Sequence, residues 1–341
     1  MNKKKVLIVY QTPSPFINND IDILSIFFKI RIYQFKPVNT LIKTSISLLK
    51  QFFFLIYHIW EYDAVYIWFA DYFSFLPVVL FRIFGKKAFL VIGGYDVCRI
   101  KGVDYGVFNN KLRGFCAITS IKLCTVNITV SKYIDRKVKF IAPKSVRRLI
   151  YNCVNINYSN SDKNKENLVL MVAHAENNSS FYIKGIDNFI ELARQVPDYK
   201  FVINGLVKDK ILPLLSDIPT NLYIFGLIPH SDLKEYYSKA LFYCQLSRSE
   251  SFGITVAESM LFECIPLVTN IGGLPEIVGD KKYIIVPPMN DIEHYMKKLI
   301  SENTLLEKQK RKERINSLFS FESRKENLIL LMNEHINFKI N

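Results

Sequence analysis

The sequence predicts an α/β chain of two doubly wound domains in tandem. Three observations predict it. Short apolar runs rich in β-branched residues alternate with stretches of helical period, one polar break divides the chain near its middle, and 341 residues suit two domains of ordinary size. Half of the residues are hydrophobic (50%) and the mean hydropathy is +0.11. That is enough apolar material for two cores, which excludes disorder as the dominant state.

The elements follow in order. Residues 5–10 (KVLIVY) open the first half as a strand, and similar runs stand at 30–35, 64–69, 88–92, 126–130 and 148–152. The second half repeats the pattern at 168–173, 200–204, 222–225, 241–246, 265–269 and 283–286. Continuous apolar runs suit parallel strands covered on both faces. The stretches between them return the chain to the start of the next parallel strand. In 16–28, Ile17, Ile21, Ile23, Leu24, Phe27 and Phe28 form one apolar helix face. In the second half, Ile186, Phe189, Ile190 and Ala193 fall at i, i+3, i+4 and i+7, and 254–263 reads as a further helix carrying Glu258. The break itself, 155–167 (NINYSNSDKNKEN), is polar and reads as a linker.

Several function classes lose weight on residue content. No uncharged run reaches the roughly 18 apolar residues of a membrane span, because Glu61, Asp63, Asp71 and Arg82 interrupt the candidates. The start has only the short apolar run 6–10, too brief for a signal peptide, so the expected location is the cytoplasm. The six cysteines (Cys98, Cys116, Cys124, Cys153, Cys244, Cys264) include no C-x-x-C pair and read as reduced, buried small hydrophobes. The five histidines do not pair at ligand spacing, so no structural zinc is expected. The first strand ends in Gln11-Thr12-Pro13-Ser14-Pro15, and neither a G-x-G-x-x-G nor a P-loop is present. NAD- and ATP-dependent chemistry recede accordingly. Asp20-Ile21-Asp22 is a D-x-D, but its place in the helical stretch 16–28 makes it a polar helix edge rather than a metal loop.

The net charge of +14 is unevenly spread. Residues 1–158 hold 23 lysines and arginines against 8 carboxylates, whereas 159–341 hold 22 against 23. The first half therefore favours an anionic partner: nucleic acid, acidic lipid or a phosphate-bearing substrate. Nucleic acid lacks a fingerprint, with no zinc-finger spacing, RNP-like strand or Arg-rich arm. The stretch 40–60 sets Lys43 and Lys50 among Leu48, Leu49, Phe52, Phe53, Phe54, Leu55 and Ile56. It suits an amphipathic helix on an anionic membrane surface and, equally, a helix packed on the sheet.

Doubly wound sheets bind ligands at the carboxyl ends of their strands. The informative loop follows the run 241–246 and reads Ser247-Arg248-Ser249-Glu250-Ser251-Phe252-Gly253, before the helix that begins at Ile254. Gly253 lets backbone approach a ligand, and the helix start offers N–H groups and a positive dipole end to a phosphate. With Glu250 in the loop and Glu258 on the helix, the carboxylates can flank a diphosphate and accept hydrogen bonds from sugar and ribose hydroxyls.

These residues carry a resemblance. Glu250-Ser-Phe-Gly-Ile-Thr-Val-Ala-Glu258 resembles the E-x7-E motif of retaining, family 4-like glycosyltransferases of the GT-B fold. Residues 181–185 (FYIKG) resemble the family's Lys-Gly step, whose lysine, here Lys184, reaches the donor diphosphate. Residues 270–276 (NIGGLPE), with Gly273, resemble the glycine loop beside the donor, and Gly205 and Gly226 also fall where the family has them. The similarity covers 165–338 well and the first half more loosely, through 3–35, 91–96 and 130–131.

The resemblance implies two Rossmann-like domains facing a central cleft: 1–158 on the acceptor side, 159–318 binding the donor, and 319–341 a helix packing back toward the first domain. It implies a UDP- or GDP-sugar donor, a saccharide or lipid-linked acceptor, no cofactor and no metal. The leaving phosphate would take the acceptor proton, giving retention. Glu250 and Lys184 would act at the reacting bond, and Glu258, Arg248, Ser251, Phe252, Gly253, Ile254, Gly205 and Gly273 would hold the donor. Ser179 stands where the family often has an arginine, so Lys184 acts alone or with Arg248. Residues 13–15 replace the family's first glycine pair. Gly94-Tyr95-Asp96 stands where many members have a histidine, which makes Asp96 the expected acceptor-side group, against a turn-capping role. The expected setting is cell-surface polysaccharide or glycolipid biosynthesis, in the cytoplasm or peripherally on the inner membrane face. The alternatives are a sugar-nucleotide epimerase on the same fold and a basic nucleic-acid-binding protein.

Overall fold

The computed structural model describes residues 3–36, 40–100, 102–156, 165–215, 217–288 and 290–336. The chain divides into two units, Met1–Cys153 with Phe321–Asn341, and Val154–Ser320. The first unit contains strands β1 (Lys5–Tyr10), β2 (Lys29–Gln34), β3 (Ala64–Trp68), β4 (Lys87–Ile92), β5 (Val126–Thr129) and β6 (Arg147–Leu149). They form one parallel sheet in the order β2-β1-β3-β4-β5-β6. The second contains β7 (Glu166–Ala175), β8 (Lys200–Leu206), β9 (Leu222–Ile224), β10 (Ala240–Gln245), β11 (Ile265–Thr269) and β12 (Ile284–Ile285), again all parallel, in the order β12-β11-β10-β7-β8-β9.

All twelve expected runs are strands, and the α/β doubly wound class holds in both units. The ends move by a few residues, most at β6, which stops at Leu149. β7 starts at Glu166 and so takes in two residues read as linker, while 157–164 of that stretch lie outside the described residues. The inner strands β3, β4 and β5 are buried almost throughout, as two-sided covering requires. The expectation of two-sided burial fails at β2, where Ile32 is 45% exposed. An edge strand has sheet on one side only, and its outer positions reach solvent.

The helices begin where local chemistry permits. Pro15–Phe27 starts with Ser14 as N-cap and proline at its first position, where the missing N–H costs nothing. Leu41–His58 starts at Thr40, whose hydroxyl accepts from the Lys43 N–H at 3.4 Å. Its inner face sends Gln51 and Leu55 into the first unit. The helix Phe321–Ile336 also belongs to this unit and adds Leu328 and Met332 to its core. Arg324 on that helix donates to both oxygens of Asp20 (2.5 and 2.8 Å), which also accepts from Tyr66 Oη (2.7 Å) and Trp68 Nε1 (2.9 Å). This corrects the polar helix edge expected of the D-x-D. Asp22 is exposed, but Asp20 is buried because a guanidinium from the distant C-terminal segment neutralises it. All six cysteines are free, and five are buried. Among the described residues no helix is long and apolar enough to cross a membrane.

Topology then selects the loops that can bind. Read from β9, the second sheet runs first-strand-third to sixth-strand-last, the strand order 3-2-1-4-5-6 of a dinucleotide-binding sheet, and it reverses between β7 and β10. In the first sheet the reversal falls between β1 and β3. Connections diverge at such a point and leave a crevice at the carboxyl ends of the two strands.

Candidate functional site

The segment after β7 folds into the short helix Asn178–Lys184, which the residue pattern alone does not predict. Asn177 caps it by accepting from the Ser180 N–H at 2.8 Å. Lys184 sits in its last turn, and Gly185 follows with φ +67°. A Cβ at Gly185 would lie 1.8 Å from the carbonyl oxygen of Leu246, so only glycine lets this turn pass so close to the end of β10. The helix Ile186–Gln195 continues from there.

The loop after β10 is held from both sides. Gln245 Nε2 donates to Ser247 Oγ (2.7 Å), Thr269 Oγ1 donates to the Ser247 carbonyl (2.6 Å), and the Arg248 N–H donates to the Ile183 carbonyl (2.7 Å). On the far side, a Cβ at Gly272 would lie 1.5 Å from the Glu250 carbonyl oxygen, and the Gly273 N–H donates to that oxygen at 3.3 Å. Clamped this way, the loop brings Glu250 Oε2 within 3.0 Å of Lys184 Nζ, both side chains part-buried. The Ser251 N–H donates to the other Glu250 oxygen at 3.2 Å. Gly253, with φ +113°, is the N-cap of the helix Ile254–Leu261. The crevice between β7 and β10 therefore presents a cation, a carboxylate and a helix N-terminus together.

Glu258 lies on that helix and is 2% exposed. One of its oxygens meets His230 Nε2 at 2.7 Å, and the other accepts from Tyr237 Oη at 3.0 Å. The carboxylate raises the His230 pKa above its ordinary value, against the lowering effect of burial. Burial and the same carboxylate push the Tyr237 phenol far up. His230 and Tyr237 are partners that sequence reasoning missed; one is a scattered histidine and the other sits in an unremarked helix.

The remaining predicted donor residues occupy varied environments. Arg248 is committed to Asp187 through two hydrogen bonds of 2.7 Å and stacks 4.0 Å above the Tyr182 ring, so its charge is already balanced. Phe252 is 2% exposed and packs edge-on against Phe319, its ring serving the core of the unit. Gly205 is the penultimate residue of β8 and donates its N–H to the Gly226 carbonyl at 3.0 Å. Beside it, the amide of Asn204 is fully buried, and neither its nitrogen nor its oxygen has a partner among the described residues. A polar residue closing an apolar strand was the signal for it.

Asp96 belongs to the other unit, in the turn Tyr95–Val97 after β4. It is 0% exposed, and its oxygens accept from the backbone N–H groups of Gly94 (2.6 Å), Ala70 (3.1 Å) and Gly93 (3.2 Å). Burial raises its pKa to about 6, against the lowering effect of those donors. In this arrangement the carboxylate organises the turn. At that sheet's own reversal stand residues that sequence reasoning passed over. Gln11 Nε2 donates to Tyr72 Oη (2.8 Å), and Asp71 caps the helix Tyr72–Ile83. Asp71 also pairs with Arg113, whose guanidinium lies over the rings of Tyr72 and Tyr95. Asp71 with Ser74 three residues on was a legible capping box. Among the described residues no group of three or more metal-ligating side chains comes together.

Residues 156–316 match the family described as Glycosyl transferases group 1. An Arabidopsis thaliana protein, named as one of the subunits of phosphatidylinositol N-acetylglucosaminyltransferase, is 23% identical over 150 residues, which are 41% of this chain and 34% of that protein. The match thus spans about a third of that relative's length. Sucrose-phosphate synthase from Thermosynechococcus elongatus superposes with a TM-score of 0.76 at 13% identity, covering 97% of this chain and 99% of that one. WaaG, a glycosyltransferase involved in lipopolysaccharide biosynthesis, superposes with a TM-score of 0.71 at 12% identity, covering 98% and 100%. The fold is GT-B.

Proposed function

We propose that this GT-B chain, whose second unit carries the group 1 match, transfers a hexose from a UDP- or GDP-sugar to a saccharide or lipid-linked acceptor, with retention of anomeric configuration and without a metal. The observation that carries the reading is the contact of Lys184 with Glu250, held where the second sheet reverses and where the helix Ile254–Leu261 begins. Breaking a sugar–phosphate bond builds negative charge on the departing diphosphate. Lys184 and the helix N-terminus stabilise that charge. The diphosphate replaces Glu250 as the partner of Lys184, which frees the Glu250 carboxylate to accept from the sugar hydroxyls. Glu258 accepts from the ribose once His230 yields its oxygen. The leaving phosphate takes the acceptor proton on the same face. Asp96 shapes the β4 turn and positions the acceptor-side backbone.

A cell-surface glycan or glycolipid product suits the names of two relatives, one involved in lipopolysaccharide biosynthesis and one belonging to a phosphatidylinositol N-acetylglucosaminyltransferase. Such work belongs on the cytoplasmic side, peripherally at an anionic membrane reached through the basic first unit.

A thermal-shift panel of UDP-, GDP- and ADP-sugars tests the donor. A ligand present at about 100 times its Kd adds about 2.7 kcal/mol of stability, which a melting curve resolves easily. Glu258→Gln should erase most of the shift. Glu250→Gln should keep it and cut turnover about 100- to 1,000-fold. Unchanged kinetics in both variants would end the assignment. A donor epimerised with no acceptor present would favour the epimerase reading instead.

A further inference from the structure

The helix Leu41–His58 uses one face on its own unit, where Gln51 is fully buried and donates to the Phe73 carbonyl at 3.0 Å. The opposite face carries Ile42, Ile46, Leu49, Phe53 and Tyr57, and Trp60 stands in the turn beyond. They are 75, 47, 57, 66, 80 and 70% exposed. Steps of three and four residues make them one continuous stripe along the helix. Single exposed apolar residues need no explanation, but a stripe of this length on a folded unit does.

Its charge surroundings are one-sided. Residues 23–60 contain five lysines and arginines and no carboxylate. Lys43 and Lys50 each follow a stripe residue, about 100° around the helix, and so line one edge of the stripe. Arg31, on the adjacent edge strand β2, has its guanidinium 5.1 Å from the Phe54 ring but is answered by Glu61 at 3.7 Å, so Lys43 and Lys50 carry the charge at the edge of the stripe.

We propose that this face docks on a bilayer containing anionic lipid, with the helix lying in the headgroup plane and the stripe entering the acyl boundary. The lysines then meet lipid phosphates, and Tyr57 and Trp60 take the interfacial level that amphipathic rings prefer. A second copy of the chain is the poorer occupant. Pairing two stripes would bring four lysines together, and the one carboxylate at the stripe's end, Glu61, is already engaged by His58 at 2.5 Å and Arg31 at 3.7 Å. The inference rests on the membrane-side part of the function proposed above and is independent of the donor site.

Vesicle flotation of the full chain tests it. With vesicles of phosphatidylcholine containing about one-third phosphatidylglycerol, the protein should float, and added salt should release it. With phosphatidylcholine alone it should stay in solution. The double variant Leu49→Ser/Phe53→Ser should bind at least about tenfold more weakly, because the apolar area entering the boundary is lost. Lys43→Ser/Lys50→Ser should lose about as much through charge. All four side chains are exposed, so circular dichroism should be unchanged, and the donor thermal shift should persist. That persistence separates a failure of docking from a failure of the transferase reading. No flotation of the wild type, flotation indifferent to both double variants, or a stripe-dependent dimer in light scattering would each overturn the proposal.

Discussion

Asp96 and Glu258 are both buried carboxylates, and their neighbours give them different work. Three backbone donors converge on Asp96, so Asp96→Ala should leave them unanswered and destabilise the protein by about 1–3 kcal/mol, read by denaturant unfolding. Its pKa, raised from 3.8 to about 6, means the fold favours the protonated form, so stability should fall as pH rises across that interval and level off above it. The variant should lose that slope. A variant with unaltered stability and a selective loss of turnover would instead make Asp96 a base. Glu258 answers to His230. Its hydrogen bond raises the His230 pKa, so that contact stabilises the fold fully below the ordinary value of 6.5 and fades as pH rises through the raised one. A neutral imidazole releases the carboxylate to a ribose more readily. Donor affinity by calorimetry should therefore rise over the same interval, and His230→Ala should flatten the profile. A profile kept intact in that variant would remove His230 from the site. The motif carrying Glu258 was legible from residue order, but His230 lies 28 positions away and only folding makes it a neighbour.

At the scale of elements, apolar runs were enough to locate all twelve strands, because parallel strands must hide both faces and so write continuous hydrophobic text. Edges were not legible. The run forming β2 looks like its inner neighbours, and only the sheet order leaves it half in solvent. The helix Pro15–Phe27 was legible too, but the state of Asp20 was not, since its partner Arg324 is 304 residues away. Arg324→Ala should cost about 3–5 kcal/mol, because it strands a buried carboxylate beside Tyr66 and Trp68. Chemical denaturation measures it. A loss below about 1 kcal/mol, the usual worth of an exposed pair, would show that the contact is not the buried lock described.

At the scale of the molecule, the chain returns at Phe321 to the unit in which it began. Residues 154–320 expressed alone should fold and keep the nucleotide-sugar thermal shift, since their core and the Lys184 site are internal to them. Residues 1–153 alone should fail to fold cooperatively, and appending 321–341 should restore a cooperative melt, because Leu328 and Met332 fill that core. A cooperative melt of 1–153 by itself would contradict the division. The charge asymmetry follows the same division: the first unit holds the positive excess and the second is near neutral.

Residue order alone determined the α/β class, the strand positions, the charge asymmetry and the loop with its two glutamates. Hydrophobic period, charge and short motifs are properties of neighbours along the chain, and folding does not rewrite them. Folding settled which polar groups meet. It paired Lys184 with Glu250, gave Glu258 to His230 and Tyr237, turned Asp96 inward, committed Arg248 to Asp187, and tied Asp20 to a helix at the other end of the chain. Those contacts come from the order in which parallel strands are wound and from the return of the last helix to the first unit, which set residues 21 to 304 positions apart side by side and leave no periodic trace in either segment.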